Sequence, residues 1–199
     1  MNKAAHIFSW ILSPILVPTY GVILSLWVTV LCVLPLGVRW NVVIMTSLIT
    51  AFLPALAIFL LYKFKAISDP GLNNRGERYV PYGITCVCYI LATWYLVRIH
   101  APQWMWMFMV GAATATLVCV TVNVWWKISA HMAALGGLVG LMFRIMTDGL
   151  GIVPMWGVTT CGILLLGILG TSRLLLERHT FWQVIAGTAV GFASVYLLT

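Results

Sequence analysis

An all-α, polytopic membrane helical bundle with six or seven transmembrane helices is the fold class that this 199-residue sequence predicts. Two observations carry that expectation. Hydrophobic residues make up 62% of the chain and charged ones only 8%, against roughly 25% charged in a soluble domain; mean hydropathy is +1.05. Several charge-free runs are also long enough to cross a ~30 Å hydrocarbon layer as a helix. These runs leave no stretch for a separate soluble domain, so residues 1–199 read as a single integral membrane domain. No cleavable leader is expected, because Lys3 is followed by apolar sequence without a small-residue cleavage site. The expected location is a cell membrane, the inner membrane of a bacterium.

Taken in order, the first span falls near 14–36, and Pro14 and Pro18 interrupt it. A short interfacial helix followed by a span is the alternative there, since proline breaks a helix interior. Charge-free runs place the next spans near 41–62, 81–98 and 103–125. The fifth, near 129–147, is the weakest because it carries His131 and Arg144. The last two, near 152–170 and 180–198, flank a polar passage. Trp94, Trp104 and Trp106 sit at one set of span ends and Trp125, Trp126 and Trp182 at the other, as interfacial aromatic belts do. "GGLVG" (136–140) and "GTAVG" (187–191) are small-residue patterns that let helices approach closely. The five cysteines all lie in apolar runs and read as small buried hydrophobes.

Threading the chain back and forth sorts the polar clusters by membrane face. The 63–81 loop ("KFKAISDPGLNNRGERYVP"), "KISAH" (127–131) and "SRLLLERH" (172–179) all fall on one face, here face A. Residues 99–102 and the Asp148 region fall on the other, face B. Face A carries eight Lys or Arg (3, 63, 65, 75, 78, 127, 173, 178) and face B three (39, 98, 144). With Arg75, Arg78, Lys127 and Arg173 set aside as substrate ligands, the balance is four to three, and the positive-inside rule assigns neither face to the cytoplasm.

Charge also narrows the chemistry. The net charge of +7 is scattered over span ends and not massed on one soluble face, which argues against nucleic acid. Anionic headgroups of membrane lipids or a phosphorylated substrate are the expected partners. The chain has four carboxylates, Asp69, Glu77, Asp148 and Glu177. Divalent-cation phosphatases and transferases need several clustered oxygen ligands. No metal and no cofactor are expected.

His131 and His179 each open a span on face A, near Arg78, Lys127 and Arg173. Ser129 is placed to cap the helix that His131 opens, and such a helix start attracts anions. Gln183 stands four residues after His179, within reach of its ring. The combination suits phosphoryl transfer. Arginine forks and helix N-termini stabilise equatorial phosphoryl oxygens. One imidazole can attack phosphorus while the other protonates the leaving oxygen. The attacking ring needs an acceptor on its far nitrogen.

"ISAH" and "SRLLLERHTFWQ" resemble the second and third signature motifs of the type 2 phosphatidic acid phosphatase superfamily, related to vanadium haloperoxidases. The family patterns are P-S-G-H and S-R-x5-H-x3-D. The third matches at Ser172, Arg173 and His179 with the same spacing, and has Gln183 in place of Asp. The second matches at Ser129 and His131, with Ile128 for Pro and Ala130 for Gly. The resemblance covers roughly residues 63–187 and implies a metal-independent lipid phosphate or pyrophosphate phosphatase. It implies His179 as the nucleophile forming a phosphohistidine, His131 as the general acid, and Arg173, Ser129 and the Ala130 amide as phosphate ligands. The first family motif, K-x6-R-P, is poorly kept. Arg78 is the best candidate for its arginine, Pro81 follows three residues later, and Gly71 stands where the lysine would be. Arg75, Lys65 and Lys127 are the candidates for the missing cation. A non-catalytic member that binds or moves a phosphorylated lipid is the alternative, motivated by Gln183 and the broken first motif.

Overall fold

Pro14 and Pro18 split the first apolar run into two helices. α1 (Asn2–Ile11) stops short of Pro14, and α2 (Val17–Val28) begins with Pro18 in its first turn. The computed structural model describes residues 2–69, 71 and 74–199, and leaves the side chains of Asn2 and Arg75 outside that description. The 12 residues of α2 rise ~18 Å, well short of a ~30 Å hydrocarbon layer. The span expected near 14–36 is therefore a half-length helix preceded by another short one. The proline-bearing joint between them is pinned by side chains: Tyr20 Oη donates to the Ile11 carbonyl at 2.8 Å and Tyr89 Oη to that of Pro14 at 3.4 Å.

Among the described residues, six helical stretches are long and apolar enough to cross a membrane: Leu36–Lys63, Gly76–Arg98, Gln103–Asn123, Ala130–Thr147, Met155–Leu175 and Phe181–Leu198. The protein is an all-α polytopic bundle. The first stretch comprises α3 (Leu36–Ser47) and α4 (Leu53–Lys63), joined by one π turn over Leu48–Phe52. Pro54 offers no N–H to the turn before it, and Leu53 N–H reaches back to the Leu48 carbonyl. The others contain α5 (Tyr79–Arg98), α6 (Gln103–Asn123), α7 (Ala130–Thr147), α8 (Met155–Leu175) and α9 (Phe181–Leu198).

α7 is the hub, although its His131 and Arg144 make it the weakest span by sequence. Its window is 61% buried, against 39% or less in the other five. A span enclosed by protein on most sides can carry polar groups that a lipid-facing one cannot. α9 lies against it backbone to backbone. A Cβ at Gly191 would fall on the Ala133 carbonyl oxygen, and one at Gly136 would come 2.6 Å from that of Thr188. The glycines of "GGLVG" and "GTAVG" thus permit the close approach, as small residues do in membranes. That approach sets the first turns of α7 and α9 side by side, where Ser129 N–H donates to the Gln183 carbonyl at 3.4 Å.

α8 runs a turn further than expected, so Ser172 and Arg173 lie on the helix and not in the loop. A cation in a last turn faces the negative end of the helix dipole. The helix then closes with Arg178 N–H on the Arg173 carbonyl (3.2 Å) and Glu177 N–H on that of Leu174 (2.9 Å). This is the pattern that usually places glycine in the left-handed position; here Glu177 occupies it, with φ of 51°. The tight reversal brings His179 back beside Arg173. On face B, Arg39 stacks over Trp27 and Arg98 over Trp94, at 4.8 and 5.3 Å.

Candidate functional site

Three loops meet on face A. Arg78, the residue before α5, sends Nη1 to the Ile128 carbonyl at 3.4 Å. Ile128 immediately precedes Ser129, the N-cap of α7. Ser129 in turn is bonded to α9 through its N–H. Arg78, Ala130, His131, Arg173 and His179 thereby come to line one cavity of about 610 Å³, together with Arg178 and Tyr82. From this polar end the cavity runs into the bundle past Ala112, Ala134, Gly137, Phe108 and Val195. Trp10 and Ser13 near the end of α1, and Ile58 and Phe59 of α4, form its lipid-side wall.

The two histidines hold defined tautomers because of what each meets. Gln183 Oε1 lies 3.1 Å from His179 Nδ1 and accepts the Thr180 N–H at 3.2 Å. A main-chain N–H can only donate, so the amide presents oxygen there, and His179 Nδ1 must carry the proton. Its Nε2 then keeps the free lone pair. His131 Nε2 lies 3.2 Å from the Ser9 carbonyl, which can only accept, so in this ring Nε2 carries the proton. Arg173 is 9% exposed. It reaches Ser9 Oγ at 3.5 Å through Nη1, while its Nε is buried with no hydrogen-bond partner among the described residues.

The remaining sequence candidates take other positions. Ser129 is fully buried behind the cavity wall, where its hydroxyl accepts the Met132 N–H at 3.5 Å as a helix cap. Lys127 is partly buried and outside the wall, yet its charge reaches His179. Lys65 is exposed in the turn after α4, with φ of 58°. The Arg75 side chain lies outside the described residues. Glu177 is exposed in its turn, and the acceptor on His179 is Gln183. Sequence reading missed Ser9, whose signal was a hydroxyl five residues before Pro14 in a mostly apolar run. It missed Tyr82 too, one helical turn past Arg78 on the same face.

Burial pushes the His179 imidazole down from 6.5 to about 3; the Gln183 bond opposes this, and the Arg173, Arg78 and Lys127 charges add to it. Lys127 is lowered as well, first by burial and then by Arg78, Arg173 and Arg178. Such a crowd of cations disfavours any further positive charge, and an anion entering would relieve it. At neutral pH His179 is the uncharged ring. In a ¹⁵N-histidine NMR titration of the protein in detergent, its ring should keep the neutral signature from pH 7 down to pH 5. A midpoint near the ordinary ~6.5 would contradict the burial. The sign for stability follows. Between about 6.5 and about 3 the unfolded chain binds a proton that the folded one does not, so this residue's contribution falls as pH falls through that window. His179→Gln should remove that part of the slope.

Family models, curated proteins and solved structures were each compared with the chain, and none matches.

Proposed function

We propose that this protein is a metal-independent lipid phosphate or pyrophosphate phosphatase of the type 2 phosphatidic acid phosphatase kind, working at the face A interface through a phosphohistidine. One observation carries the reading: a buried neutral His179, its lone pair on Nε2, shares a cavity head with Arg173, Arg78 and His131. The cavity's apolar limb supports an amphipathic substrate, with a phosphate among the arginines and a hydrocarbon tail between helices. Membrane lipids are then its surroundings and its source of substrate.

The His179 Nε2 lone pair forms a bond to phosphorus as the bond from phosphorus to the lipid oxygen breaks. A protonated His131 gives that oxygen its proton, and the lipid alcohol leaves. Water then attacks the phosphohistidine and gives a proton back to His131. The N–P bond breaks, the lone pair returns to His179, and inorganic phosphate departs. Arg173 and Arg78 offset the charge on the equatorial oxygens throughout. The deciding experiment is phosphate release in EDTA by purified protein, wild type beside His179→Ala, over a panel of phospholipid and isoprenyl phosphates. Equal release by the two would end the proposal.

A second reading is a family member that binds or moves a phosphorylated lipid without turnover, and Gln183 favours it. Its Oε1 also caps α9 through Thr180, and a neutral amide stabilises a cationic ring less than a carboxylate does. In serine proteases, replacing the Asp that orients the catalytic imidazole by its amide costs about 10⁴ in rate, a parallel that gives only the sign of the effect here. In an attenuated phosphatase Gln183→Asp should raise kcat by about tenfold or more. A dedicated binder would release no phosphate in either form.

A further inference from the structure

The N-terminal helix touches the cavity-head histidine and arginine through Ser9. Along α1 and just past its end the inward positions are Ala5, Ser9 and Leu12, at 3%, 8% and 5% exposed, whereas Ile7 faces outward. Ser9 is thus the polar member of an otherwise apolar stripe, and it contacts both a histidine and an arginine of the cavity head. The availability of its carbonyl traces to Pro14. Proline cannot donate to the Trp10 carbonyl, and Ser13 N–H goes there instead, at 3.2 Å. In a continuing helix Ser13 N–H would bond to Ser9. The Ser9 carbonyl is therefore one of the helix's orphan acceptors, and His131 Nε2–H satisfies it.

We infer that Ser9 is a positioning residue of the site, its main-chain carbonyl holding Nε2–H of His131 so that Nδ1 is the nitrogen that exchanges the catalytic proton. The kinetic part of this rests on the phosphatase reading above. His131 Nδ1 has no hydrogen-bond partner among the described residues, so it is the nitrogen left for substrate. The arrangement parallels that of His179, where Gln183 holds Nδ1 and frees Nε2. In both rings one nitrogen is tied to a fixed acceptor and the other works, which is the logic by which an orienting group fixes a catalytic imidazole. The carbonyl end of α1 also presents the negative pole of a helix dipole to His131. The hydroxyl of Ser9 adds a tether on the Arg173 guanidinium.

Three variants in purified full-length protein separate these roles. Pro14→Ala restores an N–H at residue 14 and lets Ser13 reclaim the Ser9 carbonyl; Pro14 also lines the cavity wall, so KM is read beside kcat. Ser9→Ala removes the hydroxyl tether alone, and Ser9→Thr returns it. Two readouts are taken: ¹⁵N shifts of His131, assigned against His131→Gln, and kcat and KM on phosphatidic acid in mixed micelles. Wild type should show protonated Nε2 and unprotonated Nδ1 in the neutral ring. Pro14→Ala should give a mixture of tautomers and lower kcat about tenfold or more with little change in KM. Ser9→Ala should raise KM about fivefold, with Ser9→Thr restoring it. An unprotonated Nε2 in wild type would overturn the inference, as would a Pro14→Ala protein unchanged in both tautomer and kcat. If Pro14→Ala does not fold, the wild-type tautomer and the Ser9→Ala and Ser9→Thr pair decide. The ¹⁵N readout needs no turnover, so a wild type that releases no phosphate would remove the phosphatase reading while the His131 tautomer still tests the Ser9 contact.

Discussion

On the proposed phosphatase reading, His179→Ala is expected to cut phosphate release from a lipid monophosphate by about 10³-fold or more, because in that reading His179 forms the covalent intermediate. Both kcat and kcat/KM should fall together, since the lost interaction exists only along the reaction path. The helix start that follows should survive. Gln183 keeps its bond to the Thr180 N–H, so α9 retains its first-turn partner when the imidazole is gone. A gel-filtration profile and thermal midpoint close to wild type would therefore accompany the loss. Trapping with ³²P-labelled substrate and an alkaline quench should label wild type and leave the variant unlabelled. A variant that keeps most of its turnover would mean that phosphorus is attacked by something else.

The second large effect is structural. Gly191→Val should prevent α7 and α9 from packing, because even the first carbon of the new side chain falls on the Ala133 carbonyl oxygen. Overpacking a core typically costs about 1–3 kcal/mol when neighbouring side chains can shift. Here the obstacle is helix backbone, which cannot rotate away, so the effect should lie at or above the top of that range. The expected result is aggregated protein, or a thermal midpoint many degrees lower, in detergent. Gly167→Val is the control: among the described residues nothing lies within 4 Å of a Cβ at that position, and its midpoint should stay near wild type. The same substitution at Gly191 should also separate His131 from His179, since each stands at the start of one of the two helices that the glycines bring together. Equal midpoints for the two variants would mean that this seam does not hold the bundle.

Much of this was legible in residue order. Local composition decides whether a segment prefers lipid or water, so the six membrane-crossing stretches, the alternation of faces and the meeting of three polar loops could be read directly. Helix starts were legible too. Ser129 caps α7, and Gln183 reaches His179, because both contacts span three or four residues and depend on helical geometry alone. What misled was anything set by distant partners. The run near 14–36 is apolar enough to suggest a full span, and hydropathy says nothing about how two prolines divide it.

Apolar span content, charge balance and the spacing of Arg173, His179 and Gln183 are properties of neighbouring residues, and the amino-acid order contains them. The tautomers of the two histidines are not. His131 is held by a carbonyl 122 residues away in the chain, and that carbonyl is available because Pro14 diverts the bond that would have occupied it. The cavity, the depth of its apolar limb and the backbone seam between α7 and α9 likewise arise where helices far apart in sequence pack. Local periodicity carries no information about such contacts, because they depend on which surfaces the whole chain can bury at once.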